Sequence, residues 1–172
     1  FVGRLVEFKH PQHVVEVVAA LRKKEIDAVA VFAGSGALNE ELLRRAISLD
    51  VPVHLLGLVN QSKLPATYAA ADVLMLPSTG HETWGLVCNE ALAARTPILV
   101  ADTVGCSRDL AIDGVAGRTY PFADVGTAVD RLTQIVESPP PEALIRELSE
   151  KYDLAAAAEG VLEAIEKTKW IP

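Results

Sequence analysis

Glu82 and Glu90 enclose the segment Thr83-Trp84-Gly85-Leu86-Val87-Cys88-Asn89. An apolar run of strand length stops just upstream at Pro77, and a helical pattern begins near Gly85. The first N–H groups of such a helix, those of Gly85, Leu86 and Val87, have no acceptor within the helix and point into whatever lies before it. A helix amino end attracts anions, and glycine lets a ligand approach the backbone closely. Carboxylates beside that end do not hold phosphate, because like charges repel. They suit sugar or ribose hydroxyls, which donate hydrogen bonds to carboxylate oxygens. The plain alternative makes Glu82 an acid favoured by the helix dipole and Glu90 a solvated side chain.

Arg4 and Lys9, in Gly3-Arg4-Leu5-Val6-Glu7-Phe8-Lys9-His10, supply positive charge that could clamp a diphosphate from the other side. Taken alone, they also fit an ordinary basic loop. Gly34-Ser35-Gly36 is a turn signal, since no third glycine follows at dinucleotide-fingerprint spacing. Asp102-Thr103-Val104-Gly105-Cys106 reads as a strand-to-helix turn. His54 falls inside a strand pattern and is expected to be a satisfied structural histidine. His10, His13 and His81 lack metal-ligand spacing, and no Ser-His-Asp order supports a hydrolase.

These segments must be positioned by the elements between them. Apolar runs at Phe1 to Leu5, Ala28 to Ala33, Val53 to Leu58, Val73 to Leu76 and Ile98 to Ala101, with a weaker one at Arg118 to Phe122, read as parallel strands covered on both faces. Helical patterns alternate with them, from Pro11, over Asn39 to Leu49, Leu64 to Ala70, Gly85 to Ala94 and Asp124 to Glu137. After the Ser138 to Pro141 break come Glu142 to Lys151 and an amphipathic tail, Asp153 to Lys169. The order predicts an α/β domain: a Rossmann-like open parallel sheet of about six strands with helices on both faces, plus carboxy-terminal helices. Ligands of such sheets bind outside the carboxyl ends of the strands, where all these candidate loops fall.

The chain has 172 residues, enough for one well-buried domain and short for two. A net charge of −7 repels nucleic acid, which is dropped as a partner. Cys88 and Cys106 read as reduced thiols in a cytoplasmic protein. The chain opens on Phe1-Val2 without a starting Met, so residues 1–172 are expected to be a single domain excised from a longer chain.

Taken in order, Phe1-Val2-Gly3-Arg4-Leu5 through Lys9, Val31-Phe32-Ala33-Gly34-Ser35-Gly36, Leu56-Gly57-Leu58-Val59, Leu64 through Val73, Glu-x7-Glu from Glu82 to Glu90, Pro97 through Asp102, Gly105, Asp109-Leu110, Asp113-Gly114 and Gly117 resemble the carboxy-terminal domain of retaining family 4 glycosyltransferases of the GT-B fold. The resemblance implies that Glu90 holds the ribose hydroxyls and that Glu82 meets the donor sugar, so Glu82→Gln should spare a plain nucleoside diphosphate. It implies that Arg4 and Lys9 hold the diphosphate and stabilise the departing charge, in place of a metal or other cofactor. Gly85, Leu86 and Val87, beside Trp84, would meet phosphate or sugar oxygens. Gly34 would form the turn after the second strand, and the Gly57 to Asn60 loop, with Val59, would read the base.

The donor would be a UDP-sugar or GDP-sugar. Acceptor groups, and any peripheral membrane contact, would come from the protein's own amino-terminal domain, so the domain alone should bind without turnover. Three residues depart from the family pattern. His10 and Arg95 stand where glycine is usual, so Arg95 is expected to adopt a left-handed backbone or an irregular helix end. Cys106 follows Gly105 where many relatives have a small residue. The rivals are a GT-B sugar-nucleotide epimerase and a non-catalytic nucleotide-binding or interaction domain.

Overall fold

Short runs of Val, Leu, Ile, Ala and Phe become strands because side chains on both faces of a parallel sheet are covered. A computed structural model describes residues 1–168. Its helices are α1 (Pro11–Lys23), α2 (Asn39–Ser48), α3 (Leu64–Ala69), α4 (Leu86–Ala93), α5 (Ser107–Leu110), α6 (Val125–Glu137), α7 (Glu142–Lys151) and α8 (Leu154–Lys167). Its strands are β1 (Ala30–Ala33), β2 (Val53–Gly57), β3 (Leu74–Leu76), β4 (Ile98–Ala101) and β5 (Gly117–Tyr120). This is the expected α/β domain with carboxy-terminal helices. The last residue of the predicted tail, Lys169, lies outside the described residues.

The ladders are all parallel, with β1 beside β2 and the order β3-β4-β5 in the second set. The expected first strand, Phe1 to Leu5, contributes a single parallel bridge from Val2 to Ala33. Its backbone still follows β1: Gly3 N donates to Ala33 O at 2.9 Å and Leu5 N to Ser35 O at 3.0 Å. Gly3 has φ +142, which takes the segment out of regular strand geometry beyond Val2. Five strands and this bridge therefore stand where about six strands were expected.

Pro11 occupies the first turn of α1, where its missing N–H costs nothing. The Asp124 carboxylate accepts from Thr127 N at 3.0 Å and caps α6, which holds its pKa below the ordinary aspartate value. α1 packs on α2 and α6, while α4 packs on α3 and α7. One contiguous core joins both strand sets, with Leu5, Phe32, Leu76, Leu92, Ile98, Leu99 and Leu110 fully enclosed.

Two expectations about single residues divide. Arg95 has φ +67, so the helix end does take the left-handed form, and His10 has φ +45. His54, by contrast, is exposed on β2, a strand paired only with β1 among the described residues, with the exposed Leu56 on the same face. It is not the satisfied structural histidine expected, since no side-chain hydrogen bond engages it among the described residues. No helix among the described residues is long and apolar enough to cross a membrane.

Candidate functional site

The loops after the Val2 bridge, after β1, after β3 and after β4 emerge at the carboxyl ends of parallel strands and therefore meet. Thr79 N donates to Phe8 O at 2.8 Å, which ties the loop after β3 to the turn Glu7–Lys9. That tie delivers Lys9 to Glu82: the ammonium forms an ion pair with the carboxylate, and both side chains are mostly buried. The Lys9 stem lies along Gly3, its Cδ 3.4 Å from where a Cβ on Gly3 would stand. Its ammonium sits 5.6 Å from the centre of the Phe8 ring. The buried Ser78 hydroxyl stands 3.4 Å from the same oxygen of Glu82. Glu82 is therefore more than a helix-start acid.

Gly85 caps α4 with φ +101. A Cβ there would lie 2.8 Å from Leu76 Cδ2 and 3.4 Å from Cys106 Sγ, so both space and backbone favour glycine. In α4 the first amide with a backbone acceptor is that of Cys88, which donates to Gly85 O at 2.8 Å. The amides of Gly85, Leu86 and Val87 have no acceptor among the described residues, as at the start of any α-helix. Leu86 itself is exposed. Gly105 N donates to Glu82 O at 3.1 Å and Cys106 N to Trp84 O at 2.9 Å, locking the loops after β3 and β4 together.

Cys88 and Cys106 are both free and buried. The Cys106 thiol beside Cys88, together with burial, pushes the Cys88 thiol well above its ordinary range.

Glu90 sits one turn further into α4 and accepts a 2.6 Å hydrogen bond from the Tyr68 hydroxyl. Gly34 N donates to Gly57 O at 2.7 Å, which joins the turn after β1 to the end of β2, where Val59 is half-buried. A Cβ on Gly34 would lie 1.9 Å from Gly3 O, so this turn also fits closely against the first segment. Arg4 is exposed and has no hydrogen bond or ion pair among the described residues. The structure thus joins Lys9 to Glu82 and Gly34 to Gly57, and leaves Arg4 at the surface.

Three further residues support the candidates. Tyr68 holds Glu90. Trp84 Nε1 donates to Asn89 Oδ1 at 2.8 Å, and Asn89 Nδ2 donates to Tyr152 O at 3.0 Å. The Trp84 and Tyr152 rings lie 6.1 Å apart, so the corner between α7 and α8 backs the Glu82 loop. Tyr68 and Trp84 were legible as members of motifs, but these bonds carry no local signal. An open groove of about 470 Å³, lined by residues including Arg22, Glu25, Ile26 and Leu49, lies where β1 and β2 begin and includes none of these groups. Among the described residues, no group of three or more His, Cys, Asp or Glu side chains converges.

The strands, their helices and the loops at their carboxyl ends are those of a GT-B fold domain. The chain belongs to the family of glycosyl transferases group 1, whose model matches residues 1–159. It is 36% identical over 115 residues to the GDP-mannose-dependent alpha-(1-6)-phosphatidylinositol dimannoside mannosyltransferase of Mycobacterium tuberculosis, covering 66% of this chain and 29% of that protein. It is 34% identical over 152 residues to the D-inositol 3-phosphate glycosyltransferase of Mycobacterium leprae, covering 85% of this chain and 35% of that protein. The pneumococcal O-GlcNAc transferase GtfA, solved in complex with UDP and GlcNAc, superposes with a TM-score of 0.80 at 18% identity, over 96% of this chain and 34% of that one. The chain spans about a third of the length of these proteins.

Proposed function

We propose that residues 1–172 form the domain that binds the nucleotide-sugar donor of a retaining, metal-independent glycosyltransferase, which moves a hexosyl unit from a UDP-sugar or GDP-sugar to a glycan, lipid or small-molecule acceptor. The observation that carries the reading is the Lys9–Glu82 ion pair beside the open amides of α4. It sets a cation, oriented N–H groups and a carboxylate at one strand-end mouth. A diphosphate needs the first two, and a sugar hydroxyl needs the third. Names of relatives and neighbours point the same way, since they include a GDP-mannose-dependent enzyme and a transferase bound to UDP.

In this reading Lys9 and Arg4 offset the negative charge that grows on the nucleoside diphosphate as the glycosyl bond breaks. Glu82 faces the sugar, Glu90 accepts from the ribose hydroxyls, and the Gly57 to Asn60 backbone reads the base. An amino-terminal domain supplies the acceptor groups. Two free thiols fit a cytoplasmic enzyme.

Titration calorimetry with UDP and with GDP tests the site. Glu90→Gln is expected to weaken the bound nucleotide by roughly 1.5–3 kcal/mol, the worth of a hydrogen bond to a charged group. Arg4→Ala and Lys9→Ala should weaken it by an amount that shrinks as salt rises. Unchanged affinity in all three variants sinks the reading. A product assay on the full-length enzyme, glycoside against released nucleotide and epimerised sugar, separates transfer from epimerisation.

A further inference from the structure

Tyr68 is 2% exposed and sits on the short helix α3, yet its hydroxyl reaches α4 and donates to Glu90 Oε2 at 2.6 Å. The backbone beneath it is fixed as well, because the buried Thr96 donates its Oγ1 hydrogen to Tyr68 O at 2.8 Å. Phenol and carboxylate are thus anchored on separate elements, and the bond between them sets the rotation of the Glu90 carboxylate. A carboxylate that receives a vicinal diol must present its lone pairs in one orientation, and a long glutamate side chain does not hold one unaided. Tyr68 occupies one acceptor position on Oε2. It leaves Oε1 and the remaining lone pair of Oε2 open.

We infer that Tyr68 is the positioning residue that locks the Glu90 carboxylate for the ribose diol and thereby sets a preference for ribonucleotides, an inference that rests on the donor-site reading above. Burial, and the negative charge of Glu90 that the phenol bonds, push the Tyr68 hydroxyl far above its ordinary pKa. It therefore remains a donor throughout the neutral range and cannot exchange roles with the carboxylate. Tyr68→Phe keeps the buried ring and removes only the hydroxyl, so packing and positioning can be separated.

The experiment titrates the 172-residue chain, Tyr68→Phe and Glu90→Gln with UDP, GDP and their 2′,3′-dideoxy counterparts. The expected result is that the unmutated chain prefers the ribose form of whichever base it binds. Tyr68→Phe should shrink that preference roughly tenfold, the lower end for losing a hydrogen bond to a charged group, and leave the dideoxy affinity unchanged. A merely structural tyrosine would weaken both forms alike. That outcome, or an intact preference in Tyr68→Phe while Glu90→Gln abolishes it, overturns the inference and spares the donor site. If the unmutated chain binds neither nucleotide, or shows no preference that depends on Glu90, the donor-site reading falls and takes the inference with it.

Discussion

Lys9 is ion-paired with Glu82, so a diphosphate has to compete for its own cation. This changes the expected sign of Glu82→Gln, which the sequence alone makes neutral for a plain nucleoside diphosphate. The two side chains are 14% and 17% exposed. Fully exposed pairs contribute about 0.2–1 kcal/mol, and removing one partner of a fully buried pair costs about 3–5 kcal/mol. A pair between those limits is expected to contribute ~1–2 kcal/mol. Glu82→Gln should therefore lower the unliganded Tm by roughly 2–8 °C for a chain of this size. The same substitution frees Lys9 and removes a negative charge from the mouth that receives the phosphates. UDP or GDP should consequently bind about 3–10-fold tighter, a gain of ~0.7–1.4 kcal/mol. Raising the salt should shrink the gain, because screening acts on the charges involved. Calorimetry with the plain nucleoside diphosphate, paired with a thermal melt of the free chain, reads both quantities. Weaker or unchanged nucleotide binding in Glu82→Gln would refute the competition argument, whatever happened to Tm.

Arg95→Gly relieves left-handed strain worth roughly 1–2 kcal/mol, against about 0.4–1 kcal/mol from a looser unfolded chain and up to ~1 kcal/mol from the exposed bridge to Glu142. A small rise in Tm is expected, and a clear fall in a thermal melt would show that the Arg95 side chain outweighs its backbone. Gly34→Ala drives a Cβ into Gly3 O and is expected to cost roughly 2–4 kcal/mol in denaturant unfolding; a loss under about 1 kcal/mol would mean that the two loops separate easily. His13 is buried against Tyr120, and burial holds its pKa below the usual histidine value despite the nearby Glu16 and Asp124 carboxylates; His10 adds to the lowering. The unfolded chain then binds more protons, so stability should fall as pH drops through the unfolded value of about 6.5. His13→Phe, which keeps a ring on Tyr120, should flatten that fall, and an unchanged acid slope in urea titrations would place the titration elsewhere.

The apolar runs were legible because a buried parallel strand needs nearly continuous Val, Leu, Ile and Ala, and β4 matches its expected bounds, Ile98–Ala101. The helices were legible because their stripes repeat at helical spacing and because Pro11 and Asp124 mark starts. The left-handed backbone of Arg95 followed from its position at a helix end where glycine is usual. The first strand was not legible as a single bridge, since Phe1 to Leu5 is apolar enough for a strand and only the backbone at Gly3 interrupts it. His54 misled for a related reason. Period-2 patterning says that alternate residues of β2 share a face, but not whether a helix covers that face.

Side-chain pairing was the least legible level, and the site depends on it. Lys9 and Glu82 are 73 residues apart, and each has a sufficient local explanation, a basic loop and a helix-start acid. Glu90 likewise has a local explanation as a solvated acid, and Tyr68 entered only as part of the Leu64 to Val73 motif. Spacing within one segment constrains only what that segment's own backbone positions, whereas Lys9 meets Glu82 because parallel topology delivers strand carboxyl ends to one edge, and Tyr68 meets Glu90 because α3 packs on α4. Once that topology is known, the local readings no longer suffice. A surface acid does not require a buried phenol, and a helix-start acid does not require a lysine brought from the opposite strand set. The charge and hydrogen-bond pairing at this edge, more than the Glu-x7-Glu spacing, is therefore what substitution of Tyr68, Glu82 and Lys9 would probe.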